Sequence, residues 1–285
     1  MESNKLFKLV EDRLKNITPE YKIETEIILN KLFNLNKIDF IIPKNIDYKA
    51  KEPFLDEIII RREKREPLQY IFNEQNFMGY NFYINENVLI PRSDTEILVE
   101  KAIELIKSFN EENNIKILDL GTGSGCITIS LANEFENIDF FALDISEKAL
   151  EVTNKNIKKL ARYNNINLIQ SDKFNYFKDK NIKFNLIISN PPYIPKRDFF
   201  NLEPEVKNYE PTLALVGDEN NGTYFYEYIA LEAPNYLKNN SYILCEIGIN
   251  QKELINNIFN KYKKVEFFND YNNIPRVILA NYIKK

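Results

Sequence analysis

The chain has no histidine among its 285 residues. That absence removes histidine-based metal sites, Ser-His-Asp and Cys-His triads, and imidazole acid–base chemistry in one step. Two cysteines are too few for an all-cysteine zinc site, which needs four thiolates, so no metal is expected. Cys126 and Cys245 sit in apolar segments and read as buried free thiols rather than a disulfide. No apolar run approaches the ~20 residues of a membrane span. The opening stretch MESNKLFKLVEDRLKN is too charged for a signal peptide, so a cytoplasmic chain with no membrane partner is expected. Basic charge is not in excess either: 38 Lys and Arg stand against 42 Asp and Glu, a formal net charge of -4. Proteins that bind duplexes usually carry a basic stripe. The one basic cluster, RREKR at 61–65, reads as a solvated helix end favoured by the dipole, so direct contact with nucleic acid is not expected.

What is present has the balance of a globular protein, 44% hydrophobic and 28% charged. Residues 1–72 read as a small helical domain for recognition or docking. Leu6, Leu9, Val10 and Leu14 repeat at helical spacing behind Ser3. Thr18-Pro19 reads as an N-cap with proline at the first helical position, opening a helix that carries Ile27, Ile28, Leu32 and Phe33. A third helix is expected from about Pro53 to Arg65. Residues 73–92 read as a linker built on a hairpin, FMGYNFYI, with Gly79 near the turn. Ser93 and Glu96 fit a capping box for the helix that opens a second domain, 93–285. From residue 115 short apolar strands alternate with helices: IKILDL, IDFFALD, NLIQ, FNLIIS, SYILCEI, KVEFF and PRVILAN. That alternation predicts an α/β fold with a mostly parallel sheet. The last two strands lie too close for a helical crossover and are expected to pair antiparallel.

Ligands of such sheets bind beyond the carboxyl ends of the strands, and the polar signals of this chain fall there. LDLGTGSGC (118–126) puts Gly121, Gly123 and Gly125 after the first strand of the sheet, where they let the backbone pass close to a ligand. A dinucleotide fingerprint needs glycine where Cys126 stands, and the G-K-[ST] of a phosphate loop is missing, so a pyrophosphate cradle is not expected. Asp144 ends the next strand, where an acid can bind ribose hydroxyls. Its other reading is a helix cap; Ser146 can cap instead and leave Asp144 free. Asp119 can orient the loop amides or meet a ligand ammonium, and Asp172 ends the third strand, near where an adenine amino group could lie.

LDLGTGSG, ALDIS and QSD resemble the class I S-adenosylmethionine-dependent methyltransferases. The resemblance implies a seven-stranded Rossmann-like sheet with a reversed last strand. It implies S-adenosylmethionine as cofactor, leaving as S-adenosylhomocysteine. It places Asp119 and the loop Gly121, Thr122, Gly123, Ser124 and Gly125 at its methionine end, Asp144 at the ribose, and Asp172 with Lys173 near the adenine.

The stretch NPPY, Asn190, Pro191, Pro192 and Tyr193, resembles the motif of methyltransferases that act on planar nitrogen. Such a nitrogen is a poor nucleophile because its lone pair is delocalised. The Asn190 side-chain oxygen can accept one N–H and the Pro191 carbonyl the other. Proline fixes φ, so that carbonyl is aimed before substrate arrives, and Tyr193 offers a flat face to the acceptor. With both hydrogens held, the lone pair is directed at the methyl; positioning and electrostatics drive the displacement, with no base needed first. A diproline that merely ends a strand is the plain alternative. Asn190 is also a candidate cofactor contact.

REPLQYI (65–71), VLIPRSDTEILVE (88–100), ISNPPYIP (188–195), YEPTLAL (209–215) and CEIGINQ (245–251) extend the resemblance along nearly the whole chain. In this order they resemble the protein-(glutamine-N5) methyltransferases that modify class 1 peptide chain release factors. The resemblance implies that the acceptor is the glutamine of a Gly-Gly-Gln loop; residues 1–72 are then expected to hold the protein substrate, and a monomer is expected. Three places depart from the family pattern: Asn73 stands where glycine is usual, VGDENNG replaces a more glycine-rich loop, and Lys173 stands where an aromatic is common. Two alternatives remain at this point: a ribosomal-protein glutamine methyltransferase, which the IPRSDTE stretch disfavours, and a DNA adenine-N6 methyltransferase, which lacks a basic cleft here. A non-catalytic cofactor-binding module is a third, disfavoured by the intact NPPY.

Overall fold

The computed structural model describes residues 1–109 and 114–284. The chain divides into two compact units, Met1–Phe72 with Pro204–Tyr209, and Asn73–Glu203 with Glu210–Lys285. The first unit is helical, with helices at Ser3–Leu14, Tyr21–Phe33, Lys37–Ile41, Glu52–Glu63 and Leu68–Phe72. Leu6, Val10 and Leu14 are buried at helical spacing, while Leu9 falls on the outer side. The second helix starts later than Thr18-Pro19 suggests. The Thr18 hydroxyl accepts from the Glu20 N–H at 3.2 Å and closes a turn, and the helix begins at Tyr21. Arg62, buried in this unit, donates to Glu24 at 2.8 and 2.9 Å and to Glu205 at 3.3 Å, and Arg65 meets Glu205 at 2.6 Å. Those ion pairs explain why the short helix Pro204–Tyr209, expected within the second domain, is held with the helical unit.

In chain order the strands begin with a hairpin, β1 (Glu74–Phe77) and β2 (Tyr80–Tyr83), turning at Met78-Gly79. Next come β3 (Lys116–Leu120), β4 (Asp139–Asp144), β5 (Ile166–Gln170) and β6 (Phe184–Ser189). A short parallel pair follows, β7 (Ile194–Pro195) and β8 (Val216–Asp218), then β9 (Leu237–Glu246), β10 (Lys264–Asn269) and β11 (Pro275–Tyr282). The main sheet has seven strands in the order β10-β11-β9-β6-β3-β4-β5. β11 runs antiparallel to both its neighbours and the other pairs are parallel, so the reversed last strand is present. All six residues of central β6 are buried, as a strand covered on both faces requires.

Two local expectations are corrected. Residues 73–92 are not a separate linker: the hairpin belongs to the sheet unit, clasped by Asn156, whose Oδ1 accepts from Tyr83 N–H at 2.7 Å and whose Nδ2 donates to Tyr83 O at 2.8 Å. The capping box at Ser93 does not form. Arg92 is the N-cap residue, Ser93 lies inside the helix Ser93–Lys107, and Glu96 accepts instead from the Met78 N–H at 2.6 Å. The hairpin turn reaches that carboxylate and uses it.

Candidate active site

The parallel strands β3, β4, β5, β6 and β9 deliver their carboxyl ends to one edge of the sheet. A cavity of about 260 Å³ opens at that edge. Gly121, Thr122, Gly123 and Ser124 line it from the end of β3, Asp144 from β4, Asp172 and Lys173 from β5, and Asn190, Pro191 and Pro192 from β6. Tyr193, Asp119 and Gly125 do not line it.

The glycine loop is shaped from beneath. Gly121 and Thr122 donate to Leu143 O at 2.8 and 2.9 Å. Gly121 and Gly123 hold φ of 82° and 56°, and a Cβ at either would meet nothing within 4 Å, so bare backbone faces open space. Gly125 serves another purpose: at φ 80° it caps the helix Cys126–Glu134, and a Cβ there would come within 2.7 Å of Thr153 Cγ2. The helix Glu147–Leu160 supports the loop through two residues three apart on one face. Thr153 Oγ1 donates to Gly123 O at 2.7 Å, and buried Asn156 Nδ2 donates to Ser124 O at 2.8 Å as well as to the hairpin.

Asp144 is not left free by Ser146. Ser146 Oγ does accept from Ala149 N–H at 3.2 Å, but Asp144 Oδ1 accepts from Ser146 N–H and Oδ2 from Gly123 N–H, both at 2.9 Å. Burial pushes its carboxyl upward, and the backbone N–H groups oppose that. Each carboxylate oxygen keeps a further lone pair for a hydroxyl donor.

Asp119 is fully buried below the loop. Its Oδ2 accepts from Thr122 Oγ1 at 2.7 Å and Thr128 Oγ1 at 2.6 Å, while its Oδ1 is buried with no hydrogen-bond partner. Desolvation raises its pKa to about 6 against the two threonine hydrogen bonds. Asp172 accepts from Lys173 Nζ at 3.1 Å. That ammonium lies 5.1–5.7 Å from the ring centroids of Tyr224, Phe225 and Tyr228, within cation–π reach. Phe174 is fully buried and stacks on Tyr236 with ring centroids 4.7 Å apart, so it belongs to the core; Phe225 is the aromatic that lines the cavity.

NPPY is enclosed by glycines and one glutamine. Gln251 Nε2 donates to Tyr193 O at 3.0 Å and to Asn221 O at 2.8 Å, while its Oε1 accepts from Gly248 N–H at 2.9 Å. A Cβ at Gly222 would stand 1.9 Å from Tyr193 O, and one at Gly217 would stand 2.8 Å from Pro192 O. The VGDENNG loop takes its shape from Asp218, which accepts from the N–H groups of Asn220, Asn221 and Tyr224 at 2.6–3.0 Å. Asn190 Nδ2 donates to Thr95 Oγ1 at 3.2 Å; Thr95 Oγ1 donates to Glu246 Oε2 at 2.6 Å; Tyr193 OH donates to Glu246 Oε1 at 3.2 Å. Opposite, Arg92 pairs with buried Glu210, which also accepts from Ile90 N–H at 3.2 Å.

Sequence reasoning missed Thr95, Glu246, Gln251, Thr153 and Asn156. Glu246 carried a readable signal, an acid closing an apolar strand as Asp144 does. Thr95 and Gln251 stood within the stretches VLIPRSDTEILVE and CEIGINQ, but nothing local gave them a role, and the loop carbonyls that Thr153 and Asn156 hold lie about 30 residues away.

Comparison with known proteins bears on this site. Residues 111–279 match the model of a methyltransferase domain family, and residues 5–72 match the PrmC N-terminal domain. The chain is 41% identical over 277 residues to the release factor glutamine methyltransferase of Fusobacterium nucleatum, covering 96% of this chain and 77% of that one. It is 35% identical to that of Thermodesulfovibrio yellowstonii, covering 94% and 96%, and 34% identical to that of Aquifex aeolicus, covering 97% and 98%. Among solved structures, a methyltransferase from Pyrococcus furiosus superposes with a TM-score of 0.50 at 17% identity, covering 79% of this chain and 99% of that one. A T. thermophilus 16S rRNA methyltransferase in complex with AdoMet and guanosine gives 0.51 at 14% identity, covering 73% and 49%. At such identities these two speak for the fold alone.

Proposed function

We propose how this site works from the premise that the chain belongs to the release factor glutamine methyltransferase family. It is an S-adenosylmethionine-dependent enzyme, and it methylates a release factor glutamine. The finer reading is that the acceptor is the side-chain amide nitrogen, N5, of the glutamine in the Gly-Gly-Gln loop of class 1 release factors. The observation that carries it is that the glycine loop and the first three residues of NPPY line one cavity.

The residues present fit the cofactor. Asp119 Oδ1 is buried without a partner beneath the loop, a place an ammonium would satisfy. Gly121 and Gly123 bare their backbone to the cavity. Asp144 would hold the ribose hydroxyls, and Asp172, Lys173 and Phe225 would border the adenine. When bound, S-adenosylmethionine supplies an electrophilic methyl group on sulfur. Asn190 Oδ1 and the Pro191 carbonyl would each accept one N–H of the glutamine amide and direct its lone pair along the line of transfer. Tyr193, held by its hydroxyl on Glu246 and its carbonyl on Gln251, keeps the two prolines in place from outside the cavity lining. Transfer would join the amide nitrogen to that methyl as its bond to sulfur breaks, with S-adenosylhomocysteine leaving and the surplus N–H proton passing to water. Residues 1–72 would hold the folded factor, because a pocket for one glutamine cannot distinguish it from other glutamines. The enzyme would act as a monomer without touching nucleic acid directly.

The test is mass spectrometry of release factors incubated with S-adenosylmethionine and the enzyme. One added methyl on the loop glutamine is expected, and none on a factor whose loop glutamine is replaced by alanine. Methyl transfer to a ribosomal protein or to duplex DNA, with release factor unmodified, would overturn the assignment.

A further inference from the structure

The reaction as described uses the buried carboxylate of Glu246 only to hold Tyr193. Glu246 closes β9 fully buried, and its two oxygens each take a hydroxyl, Thr95 Oγ1 at 2.6 Å and Tyr193 OH at 3.2 Å. Thr95 is itself buried and lines the cavity. An ionised carboxylate can only accept. Thr95 has one proton and therefore gives it to Glu246, which leaves its oxygen only an accepting role toward Asn190, 3.2 Å away. Asn190 must then turn its NH₂ end to Thr95, and its oxygen is the end left for another partner. A primary amide is nearly symmetric in shape, so packing alone does not choose between the two orientations. The choice matters because a glutamine N–H needs an acceptor; a flipped Asn190 would set NH₂ against N–H.

We propose that Glu246, acting through Thr95, is a positioning residue that fixes the polarity of the Asn190 amide and so makes this site an acceptor for a substrate N–H. The inference rests on the role given to Asn190 above. Burial raises the pKa of the Glu246 carboxyl, and the Thr95 hydroxyl, the Arg276 guanidinium on neighbouring β11 and the Tyr193 hydroxyl oppose that and favour its charged form. Asp94 pairs with that guanidinium and keeps it in place. Tyr193 uses the other oxygen of the same carboxylate, so Glu246 fixes two residues of NPPY together.

The test measures kcat, KM and S-adenosylmethionine affinity for Thr95→Val, Thr95→Ser and Glu246→Gln in the full chain with release factor as substrate. Thr95→Val loses the anchor and is expected to lower kcat about 10–100-fold, the worth of one oriented hydrogen bond, with cofactor affinity changed less than about twofold. Thr95→Ser keeps the hydroxyl and should stay within about threefold. Glu246→Gln leaves one acceptor oxygen where two hydroxyls each used one, so Thr95 or Tyr193 loses its acceptor and kcat should fall by about threefold or more. In an Asn190→Ala background Thr95→Val should have no further effect on kcat, since the two act as one unit. Normal kcat in Thr95→Val overturns the proposal; so does equal damage from Val and Ser, or full additivity with Asn190→Ala. If Glu246→Gln does not fold, the two Thr95 variants decide. Normal turnover by Asn190→Ala alone would instead sink the acceptor role of Asn190, a separate failure.

Discussion

Asp144 Oδ2 stands 2.9 Å from the Gly123 nitrogen, so the acid at the end of β4 and the loop at the end of β3 are joined by a hydrogen bond. Asp144→Ala removes both the proposed ribose acceptor and this brace. S-adenosylmethionine binding should weaken by about 1–3 kcal/mol, the scale of a charge-assisted hydrogen bond. Asp144→Asn, which can still accept from Gly123, should lose less. Titration calorimetry on folded variants reads both, and unchanged affinity in Asp144→Ala would confine Asp144 to bracing the loop.

Asn190→Ala should lower kcat by about 10²–10³-fold, as loss of one preorganised hydrogen-bonding group does. Asn190 also lines the cofactor cavity, so cofactor affinity is measured alongside. Tyr193→Ala should be worse than Tyr193→Phe. The phenylalanine keeps the ring and loses only the hydrogen bond to Glu246, whereas alanine also empties the packing around Gly248, where a Cβ would meet Tyr193 Cδ2 at 3.1 Å. Equal rates for the two would remove the ring from the mechanism.

Asp119 gives a pH dependence with a definite sign. Its folded pKa is raised to about 6 from 3.8, so between those values the folded chain holds more protons than the unfolded one, and this residue's effect is to make stability fall as pH rises. Asp119→Asn abolishes that loss. Its melting temperature relative to the native chain should climb from pH 4 to about pH 6 and then level off. Its affinity for S-adenosylmethionine should nevertheless drop, because the amide cannot match an ammonium. Native affinity should also weaken as pH falls below about 6. A pH-independent difference in melting temperature would contradict the burial of a charged carboxyl.

Gly222→Ala and Gly79→Ala separate backbone strain from close approach. Both glycines hold positive φ, 71° and 77°, so each alanine costs about 1 kcal/mol or somewhat more in strain. A Cβ at Gly79 meets nothing within 4 Å, whereas at Gly222 it stands 1.9 Å from Tyr193 O. Gly222→Ala must displace NPPY and should lose kcat as well as stability; Gly79→Ala should lose stability alone. Denaturant unfolding and initial rates distinguish the two.

The sequence by itself determined which chemistries were closed and where the reactive groups would gather. With no histidine, metal and triad mechanisms built on imidazole were out, and the glycine loop, Asp144, Asp172 and NPPY were readable because each closes an apolar strand. Parallel strands must bring such ends to one edge, so a one-dimensional pattern carries three-dimensional meaning there. Tertiary structure decided everything that depends on which distant group arrives first. Glu96 looked reserved for Ser93, but the hairpin turn at Met78 took it. Gly125 and Asp119 share a motif with Gly121 and Gly123 yet do not line the cavity, because Gly125 caps the helix Cys126–Glu134 and Asp119 Oδ2 is held beneath the loop by Thr122 and Thr128. Thr95 and Glu246 lie 151 residues apart, and they meet only where helix Ser93–Lys107 is packed against β9. Local sequence sets what a side chain can accept or donate; only packing sets which partner comes within 3 Å.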